Sequence, residues 1–441
     1  KGTEMRETTT RQHLAGVLIL LGLLAQIIGF TGAVPTAQAV SYLLWAAVAL
    51  LWRDIPKRSR LQAGVLIALG VVMLVVAQTV YGAAVNWPAM LQGNVFVASM
   101  LVGVSFISLI GTQGNKRAPG KRVTGADGVL RTWLGVHFLG TILNLSTVFM
   151  VGDRLARRAP LTTPQLLALN RGLSSAALWS PFFASMALVI ALVPSVQYAQ
   201  IAVVGFPIAM LSGLLTTLEL RRRFDLTEVD GFSLSPRSLL MPAGMAALVM
   251  LLHFWITPSL TIVSIITFLL PGVALLSNLR EGPRFTLRRL RQHTVTRLPA
   301  MRGEISLFLA AGLLTLGLST LVTATAGDEW TLFARFGTWQ AMVSFAAITL
   351  SALVGLHPII GVSVLASVLN LSSAEQTLFA FVALSAWAVG TSVGPLSGIN
   401  LSLQGRYGVS GYQMMKNNLP YAAMMSLLSL GAIAGLSVWL G

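Results

Sequence analysis

The chain has 441 residues, of which 55% are hydrophobic and only 10% are charged. This balance excludes an ordinary soluble globular protein, whose surface carries more charge. The net charge of +16 does not indicate nucleic-acid binding, because the basic residues lie in short segments between apolar runs, as the positive-inside rule describes for membrane proteins. The sequence holds no cysteine, which excludes disulfides and thiolate metal sites.

The first part of the chain predicts four membrane-spanning helices, near residues 13–33, 38–52, 62–82 and 91–112. A helix needs roughly 20 apolar residues to cross the hydrocarbon core. Basic clusters at residues 53–60 and 116–122 alternate with turns that contain no lysine or arginine. This alternation predicts a multi-pass protein of the bacterial inner membrane with a cytoplasmic N-terminus.

The next apolar stretch, residues 132–152, has basic residues at both ends, Arg131 and Arg154. A single spanning helix cannot begin and end on the same side of a membrane. The stretch therefore predicts a re-entrant hairpin of two half-helices with its tip at residues 140–147. Non-helical backbone at that depth is tolerated only where protein or a water-filled cavity satisfies it, so the tip is a candidate binding site.

Residues 161–194 are too long for one uninterrupted span, and Pro181 disfavours helix at Ser180. They therefore predict a broken helix. A further helix over 199–220 ends at three consecutive arginines.

Two more spans, about 238–256 and 259–279, lead to the most basic loop, residues 280–302. Contact with the membrane surface, or a linker role, is favoured for this loop.

The second half predicts spans at 304–326 and 336–356, a helix break at His357–Pro358, and a last helix over 412–440. Between them, residues 375–405 contain the sequence GTSVGPLSGINLS. We expect a second hairpin there, with its tip at residues 390–400. Three basic residues of the 30 fall in turns assigned to the outside: Arg335, Arg406 and Lys416.

The two hairpin segments resemble each other, since Gly140–Thr141 and Gly390–Thr391 are each followed by Leu-Ser and by a later Gln-x4-Asn. The fold class predicted is an all-α membrane protein of about 10–12 transmembrane helices with two inverted repeats, each with a re-entrant hairpin and a broken helix. Chance similarity between membrane segments is the alternative. The predicted domains are 1–125 (scaffold helices), 126–223 (repeat 1), 224–303 (linking helices and basic loop) and 304–441 (repeat 2 with scaffold helices).

This arrangement, over about residues 126–441, resembles the ion transporter superfamily, whose best-known branch is the divalent anion/sodium symporters. Members of that branch carry a Ser-Asn-Thr motif at each hairpin tip, which lines the carboxylate and sodium sites. The resemblance implies an elevator-type secondary transporter that forms a homodimer through a scaffold domain. Neither tip carries the literal triplet here, and Pro395 is an additional feature.

Most of the candidate site residues are positions of the two predicted tips that would match the family's motif, while Ser180 belongs to the predicted broken helix and His137 precedes the first tip. Those expected to bind the solute are Asn144, Ser146, Thr147, Ser180, Thr391, Ser392, Ser397 and Asn400, and those expected to take part in ion coupling are Thr141, Asn144, Gly390, Gly394 and His137. Hydroxyls and amides bind without charge, and half-helix N-termini favour an anionic solute. Sodium is favoured over protons as the coupling ion, and no other cofactor is expected. The alternative is that these small residues only pack helices together.

Ionisable residues limit the chemistry further. None of the 14 acidic residues falls in the middle of a predicted span, which disfavours a cationic solute. His137 could carry a proton, although a buried, hydrogen-bonded histidine is the commoner situation. Arg171 would either pair with an anionic solute or extend to the inner surface.

Two other classes of function remain as alternatives. A lipid-processing or other membrane-embedded enzyme is disfavoured because the sequence has no His-Glu-x-x-His and no intramembrane aspartate pair. A channel is disfavoured by the predicted inverted repeats. The sequence also lacks the phosphate-binding loop of an ATP-driven pump. The expected function is secondary transport of a small polar solute by a lipid-embedded homodimer.

Overall fold

The computed structural model describes residues 2–110, 121–233 and 235–441, with side chains from residue 9 onward. Lys116 and Arg117, part of a predicted basic cluster, lie outside these ranges. Within them, eight segments are long and apolar enough to span a bilayer: Thr9–Gly29, Lys57–Thr79, Tyr198–Arg223, Pro236–Ile256, Ile262–Glu281, Arg302–Ala326, Ser373–Tyr407 and Gly411–Leu440. Three apolar helices are shorter: Val95–Leu109, Thr338–Leu353 and Pro358–Val368. The chain is an all-α membrane protein, as predicted.

The main helices are numbered in chain order. They are α1 (Gly2–Gly29), α2 (Ala37–Leu51), α3 (Lys57–Thr79), α4 (Val95–Ser105), α5 (Gly125–Leu143), α6 (Ser146–Ala156), α7 (Thr163–Ser175), α8 (Ala184–Leu192), α9 (Tyr198–Arg223), α10 (Leu240–Leu251), α11 (Ile262–Asn278), α12 (Pro283–Gln292), α13 (Arg302–Ala326), α14 (Thr338–Leu353), α15 (Pro358–Val368), α16 (Ser373–Val393), α17 (Gly398–Tyr407) and α18 (Gly411–Leu440).

Unit 1 is the compact unit formed by Lys1–Asn115 and Met245–Trp330. It contains α13, one of the scaffold helices expected within residues 304–441. This helix packs closely on α3 at glycines: a Cβ added to Gly317 would lie 2.6 Å from the carbonyl oxygen of Gly70. Small residues that let two backbones approach this closely are typical of helix pairs in membranes.

Unit 2 comprises Lys116–Gly244 and Thr331–Gly441. It begins with hairpin 1, formed by α5 and α6 around a turn at residues 144–145. Asn144 has φ of 52°, a left-handed value that no other non-glycine residue adopts in the described ranges, and asparagine tolerates it better than most residues. Across the turn, a Cβ on Gly140 would lie 4.0 Å from Thr147, so the two arms pack together. The helical hairpin predicted here, with its tip within 140–147, is present.

A broken helix follows hairpin 1. It begins at a capping box in which Thr162 accepts a hydrogen bond from the backbone of Gln165 and Gln165 accepts one from the backbone of Thr162. The helix α7 ends in a short 3-10 turn at Ala176–Leu178, and α8 starts at Ala184. The non-helical residues 179–183 between them, called break 1, contain Pro181, as the sequence predicted.

The second half of unit 2 has the same order of elements, but in different places from those predicted. Hairpin 2 is formed by α14 and α15 around a turn at residues 354–357, where Gly355 has φ of 98°. The two arms fold back on each other, since a Cβ on Gly361 would lie 3.0 Å from the side chain of Ile348. His357 and Pro358, predicted as a break between spans, begin the second arm of this hairpin.

The predicted hairpin tip at residues 390–400 is wrong, because that segment belongs to a second broken helix. The helix α16 also begins at a capping box, formed by Ser372 and Glu375, and the non-helical residues 394–397, called break 2, separate it from α17. Pro395 stands three residues before α17, just as Pro181 stands three residues before α8. Pro395 is therefore the counterpart of Pro181. Glycine, serine and proline suit a break as well as a turn, so composition alone did not distinguish them.

Hydrogen bonds define two ends of unit 2, which the 26-residue helix α9 connects. Before its first residue, the backbone N–H of Gln197 donates to Thr377 at the start of α16. At its last residue, Arg223 donates to the carbonyl oxygen of Asn417 near the start of α18. A helix of this length extends about 39 Å. Thus α16 begins at one end of the unit and α18 begins at the other.

The repeats run in opposite directions between these ends. Arg406, at the end of α17, forms an ion pair with Asp153 near the end of α6, so hairpin 1 opens at the end that carries Arg223 and Asn417. Hairpin 2 opens at the opposite end, where the N–H of Leu332 donates to the carbonyl of Val368. The assignment of Arg406 and Lys416 to the side opposite Arg154 is therefore wrong. The predicted inversion of the repeats is present, with corrected positions for the second copy.

Candidate functional site

The tip of hairpin 1 is held against break 1. The hydroxyl of Ser180 donates to the carbonyl oxygen of Thr141 at 2.5 Å, and the amide of Asn144 donates to the carbonyl oxygen of Phe182 at 3.4 Å. The same amide donates to the carbonyl of Ile142 at 3.2 Å. Thr141, Asn144 and Ser180, predicted from separate parts of the sequence, therefore meet at one place.

Hairpin 2 meets break 2 in the same way. A Cβ on Gly355 would lie 2.9 Å from the side chain of Leu396, and a Cβ on Gly394 would lie 3.2 Å from the carbonyl oxygen of Ala352. Leu396 is the residue after Pro395, just as Phe182 is the residue after Pro181. In each repeat, the hairpin-tip residue with positive φ, Asn144 or Gly355, thus contacts the residue that follows the proline of the break. A Cβ on Gly390 would lie 3.1 Å from the side chain of Pro358, so Gly390 also packs against this tip.

Two further predicted residues, Ser146 and Thr147, lie at the first tip but take no part in these contacts. Ser146 is half-buried and begins α6, while Thr147 is fully buried. The hydroxyl of Thr147 has no hydrogen-bond partner among the described residues. Leaving a buried hydroxyl without a hydrogen bond costs about 1–3 kcal/mol, so a ligand that bonds to this oxygen would recover that free energy.

His137 has a partner on each ring nitrogen. Its Nδ1 lies 3.0 Å from the carbonyl oxygen of Gly172 and 3.0 Å from the hydroxyl of Ser175, and its Nε2 accepts from the indole N–H of Trp179 at 3.0 Å. Because an indole nitrogen only donates, Nε2 carries no proton and the ring is the neutral Nδ1–H tautomer. His137 also stacks on Trp133, with ring centroids 4.5 Å apart. The geometry favours a structural histidine that ties α5 to α7 over the predicted role in ion coupling.

Around break 2, three asparagine amides converge on one carbonyl oxygen. The oxygen of Ser392 accepts from Asn170 at 3.0 Å, from Asn400 at 3.1 Å and from Asn418 at 2.9 Å. The break stops the helix here, so this carbonyl has lost its usual partner four residues later and side-chain amides replace it. Asn400 also donates to the carbonyl of Gly394 at 2.9 Å. All three asparagines are fully buried.

The other predicted residues of this region stabilise the break locally. Thr391 donates to the carbonyl of Trp387 at 2.8 Å, and Ser392 donates to that of Val389 at 2.7 Å. Ser397 caps α17 by accepting from the backbone N–H of Asn400. Such bonds use the hydroxyls of Thr391 and Ser392 within their own helix.

The helix α7 lies between the two groups of predicted residues. On one side its Gly172 carbonyl is bonded by His137, and on another its Asn170 amide reaches Ser392. Within the described residues, no hydrogen bond joins the group at the first tip directly to the group at break 2. They form two neighbouring polar clusters, each centred on an interruption of helix.

Next to the asparagines lies a buried ion pair that the sequence did not indicate. Arg171 is 0% exposed; it donates to the carboxylate of Glu219 at 2.7 Å and to the side-chain oxygen of Asn418 at 2.8 Å. Its guanidinium also lies 4.4 Å from the ring centre of Tyr421. Arg171 was expected to pair with a solute or to extend to the surface. It does not extend to the surface, and Glu219 neutralises its charge inside unit 2.

Asn170 and Asn418 were not predicted as site residues, although the sequence contained a signal. Both stand five residues after a glutamine, in the Gln-x4-Asn pairs at 165–170 and 413–418. The amide of Asn418 donates to the side-chain oxygen of Asn170 at 3.1 Å. The repeated Gln-x4-Asn pattern thus identifies two asparagines, Asn170 and Asn418, that contact each other in the structure. Among the described residues, no cluster of three histidines, aspartates or glutamates could hold a transition metal.

Comparison with known proteins adds little to this geometry. No protein-family model and no curated protein sequence matches the chain. One solved structure that resembles it is the YdaH transporter of Alcanivorax borkumensis, whose topology is described as unusual. The two are 16% identical, the alignment covers 86% of each chain, and the TM-score is 0.38. A score this low does not establish a shared fold.

Proposed function

We propose that this chain is a secondary active transporter that moves a small polar solute across the bacterial inner membrane. The observation that carries the proposal is the repeated contact between a hairpin tip and a helix break, found twice in unit 2 with opposite directions. Paired, inverted interruptions of helix surrounded by protein are the architecture in which secondary transporters bind their solutes. Uninterrupted helices would satisfy the backbone at lower cost, so a purely structural protein has no need of them.

The chemistry of the two clusters favours an anionic solute. Apart from His137, the polar side chains predicted there are hydroxyls and amides, and the carboxylate of Glu219 beside the asparagine cluster is already paired with Arg171. The helices α6 and α17 both begin at an interruption, and a helix N-terminus carries a partial positive charge. Both features suit a carboxylate-bearing solute that must bind and be released.

Sodium is the coupling ion that we propose. At the first tip, the buried hydroxyl of Thr147 has no hydrogen-bond partner among the described residues. Hydroxyl and carbonyl oxygens are ligands for hard cations. His137, the candidate for proton coupling, has both ring nitrogens occupied. Thr147 would supply one oxygen ligand to the ion.

The transport mechanism proposed is alternating access of the elevator type. Unit 2 would carry the site, because it contains both hairpins and both broken helices, and unit 1 would act as the scaffold. A homodimer that associates through unit 1 belongs to the same proposal.

The proposal is tested by solute counterflow in proteoliposomes. We expect at least one of a panel of labelled mono- and dicarboxylates to show trans-stimulated exchange that increases with a sodium gradient. An ohmic current without exchange would instead indicate a channel, and consumption of lipid substrate an enzyme.

Thr147→Val should lower the sodium affinity of that exchange by roughly tenfold or more, because it removes one oxygen ligand at nearly constant volume. The control is Thr216→Val in α9, since the Thr216 hydroxyl is also buried and has no partner among the described residues. Equal sodium dependence in both variants would exclude Thr147 as a ligand while leaving the transport proposal intact.

A further inference from the structure

The short helix α12 of unit 1 has two sharply different faces. Thr286 is buried, and Arg289 donates to the carbonyl oxygen of Leu109 at 3.2 Å and to the side chain of Asn278 at 3.0 Å. These two residues, three apart, fix one face of α12 against the unit. The helix therefore has a defined orientation.

The opposite face is strongly basic. Arg284, Arg288 and Arg291 follow one another at intervals of four and three residues, so they lie in one row along the helix. All three are exposed, and α12 itself contains no acidic residue. Leu287 lies on the same side and is 67% exposed.

The span that precedes α12 ends in exposed apolar residues. Leu276 is 67% exposed near the end of α11, Leu279 is also exposed, and the exposed Arg280 follows. Exposed leucines on a membrane span face lipid chains, and arginines at the end of the span lie at the level of the headgroups. A row of guanidinium groups beside a protruding leucine fits a surface that is negative outside and apolar below.

We propose that α12 is a binding surface for anionic phospholipids, with Arg284, Arg288 and Arg291 contacting the headgroup phosphates and Leu287 inserted among the acyl chains. Guanidinium groups bind phosphate through two parallel hydrogen bonds. This inference concerns unit 1 and does not depend on the transport proposal.

The absence of cysteine allows a direct test. A Leu287→Cys variant of the full chain carries an environment-sensitive nitrobenzoxadiazole dye and is reconstituted in phosphatidylcholine vesicles, with or without phosphatidylglycerol. Quenching by doxyl-labelled phosphatidylglycerol, compared with doxyl-labelled phosphatidylcholine, reports the lipid preference at residue 287. We expect preferential quenching by phosphatidylglycerol. Each single replacement of Arg284, Arg288 or Arg291 by glutamine should lower that preference about fivefold, and the triple variant Arg284→Gln, Arg288→Gln, Arg291→Gln should abolish it.

The matched control removes three exposed arginines from unit 2, in the variant Arg157→Gln, Arg221→Gln, Arg222→Gln. It changes the net charge equally and should leave the preference at residue 287 unchanged. A dye that stays in water in both kinds of vesicle, or a preference that both triple variants reduce equally, would overturn the proposal. Loss of the preference when inorganic phosphate is added at constant ionic strength would identify a site for free phosphate instead and would equally reject a lipid site.

Discussion

Replacing Glu219 by glutamine is expected to destabilise the protein by about 3–5 kcal/mol, the cost of leaving one member of a buried ion pair without its partner. Arg171 is fully buried, and the Glu219 side chain is only 12% exposed. Glutamine keeps the shape of the side chain and removes its charge, so the guanidinium of Arg171 would remain inside unit 2 without neutralisation. Equilibrium unfolding of the purified protein in detergent measures the change.

Two further variants make this result specific. Glu228→Gln removes a carboxylate that is 86% exposed and 3.8 Å from Arg122, and a surface pair of this kind contributes at most about 1 kcal/mol. The double variant Arg171→Met, Glu219→Gln should recover much of the stability, because an uncharged pair needs no compensation. Similar small effects of Glu219→Gln and Glu228→Gln would contradict the assignment of a buried ion pair.

Gly411→Ala is expected to displace break 2 and to abolish solute exchange. Gly411 begins α18, and a Cβ at this position would lie 2.0 Å from the carbonyl oxygen of Pro395. The atom in the way belongs to the backbone and cannot rotate aside, so either α18 or the break must shift. Inserting a methyl group into a packed position costs about 1–3 kcal/mol, and the asparagine cluster on Ser392 would shift with the break.

The control is Gly398→Ala, at the first residue of α17. No atom lies within 4 Å of a Cβ added there, and alanine favours helix over glycine. We therefore expect unchanged or slightly higher stability and normal exchange. Thermal unfolding and solute counterflow are measured for both variants. Equal stability and equal exchange of Gly411→Ala and Gly398→Ala would show that the contact between Gly411 and Pro395 has no role in the site.

The sequence predicted the first repeat better than the second for a physical reason. Hairpin 1 is flanked by Arg131 and Arg154, and charge on both sides of one apolar stretch leaves few alternatives. Hairpin 2 opens at the end of unit 2 that carries little positive charge. Basic residues therefore do not flank both ends of its apolar stretch, and the charge pattern does not predict it. Its turn depends on the positive φ of Gly355, which is not distinguished in the sequence from the many other glycines.

The site was predicted in part for the same kind of reason. Polar residues close to an interruption, such as Asn144 and Asn400, stand out in apolar sequence. Partners brought from other helices do not: Asn170 lies 230 residues from Asn400, and the pairing of Arg171 with Glu219 depends on how α7 packs against α9. Such pairs follow from tertiary packing, which residue spacing along one helix cannot supply.

We expect the interruptions of the two inverted repeats in unit 2 to be reached alternately from the two sides of the membrane. Single cysteines at Asn144 and Ser397, labelled with a membrane-impermeant maleimide in right-side-out and inverted vesicles, test it most directly. Cysteines at the exposed residues Arg157 and Arg335 serve as references for the two sides of the membrane. A cysteine at Lys416 should be labelled from the same side as one at Arg157. We predict that residues 144 and 397 are each labelled from both sides, with rates that change when sodium replaces potassium. Labelling of each from one side alone under all conditions, or of Lys416 from the same side as Arg335, would contradict the account.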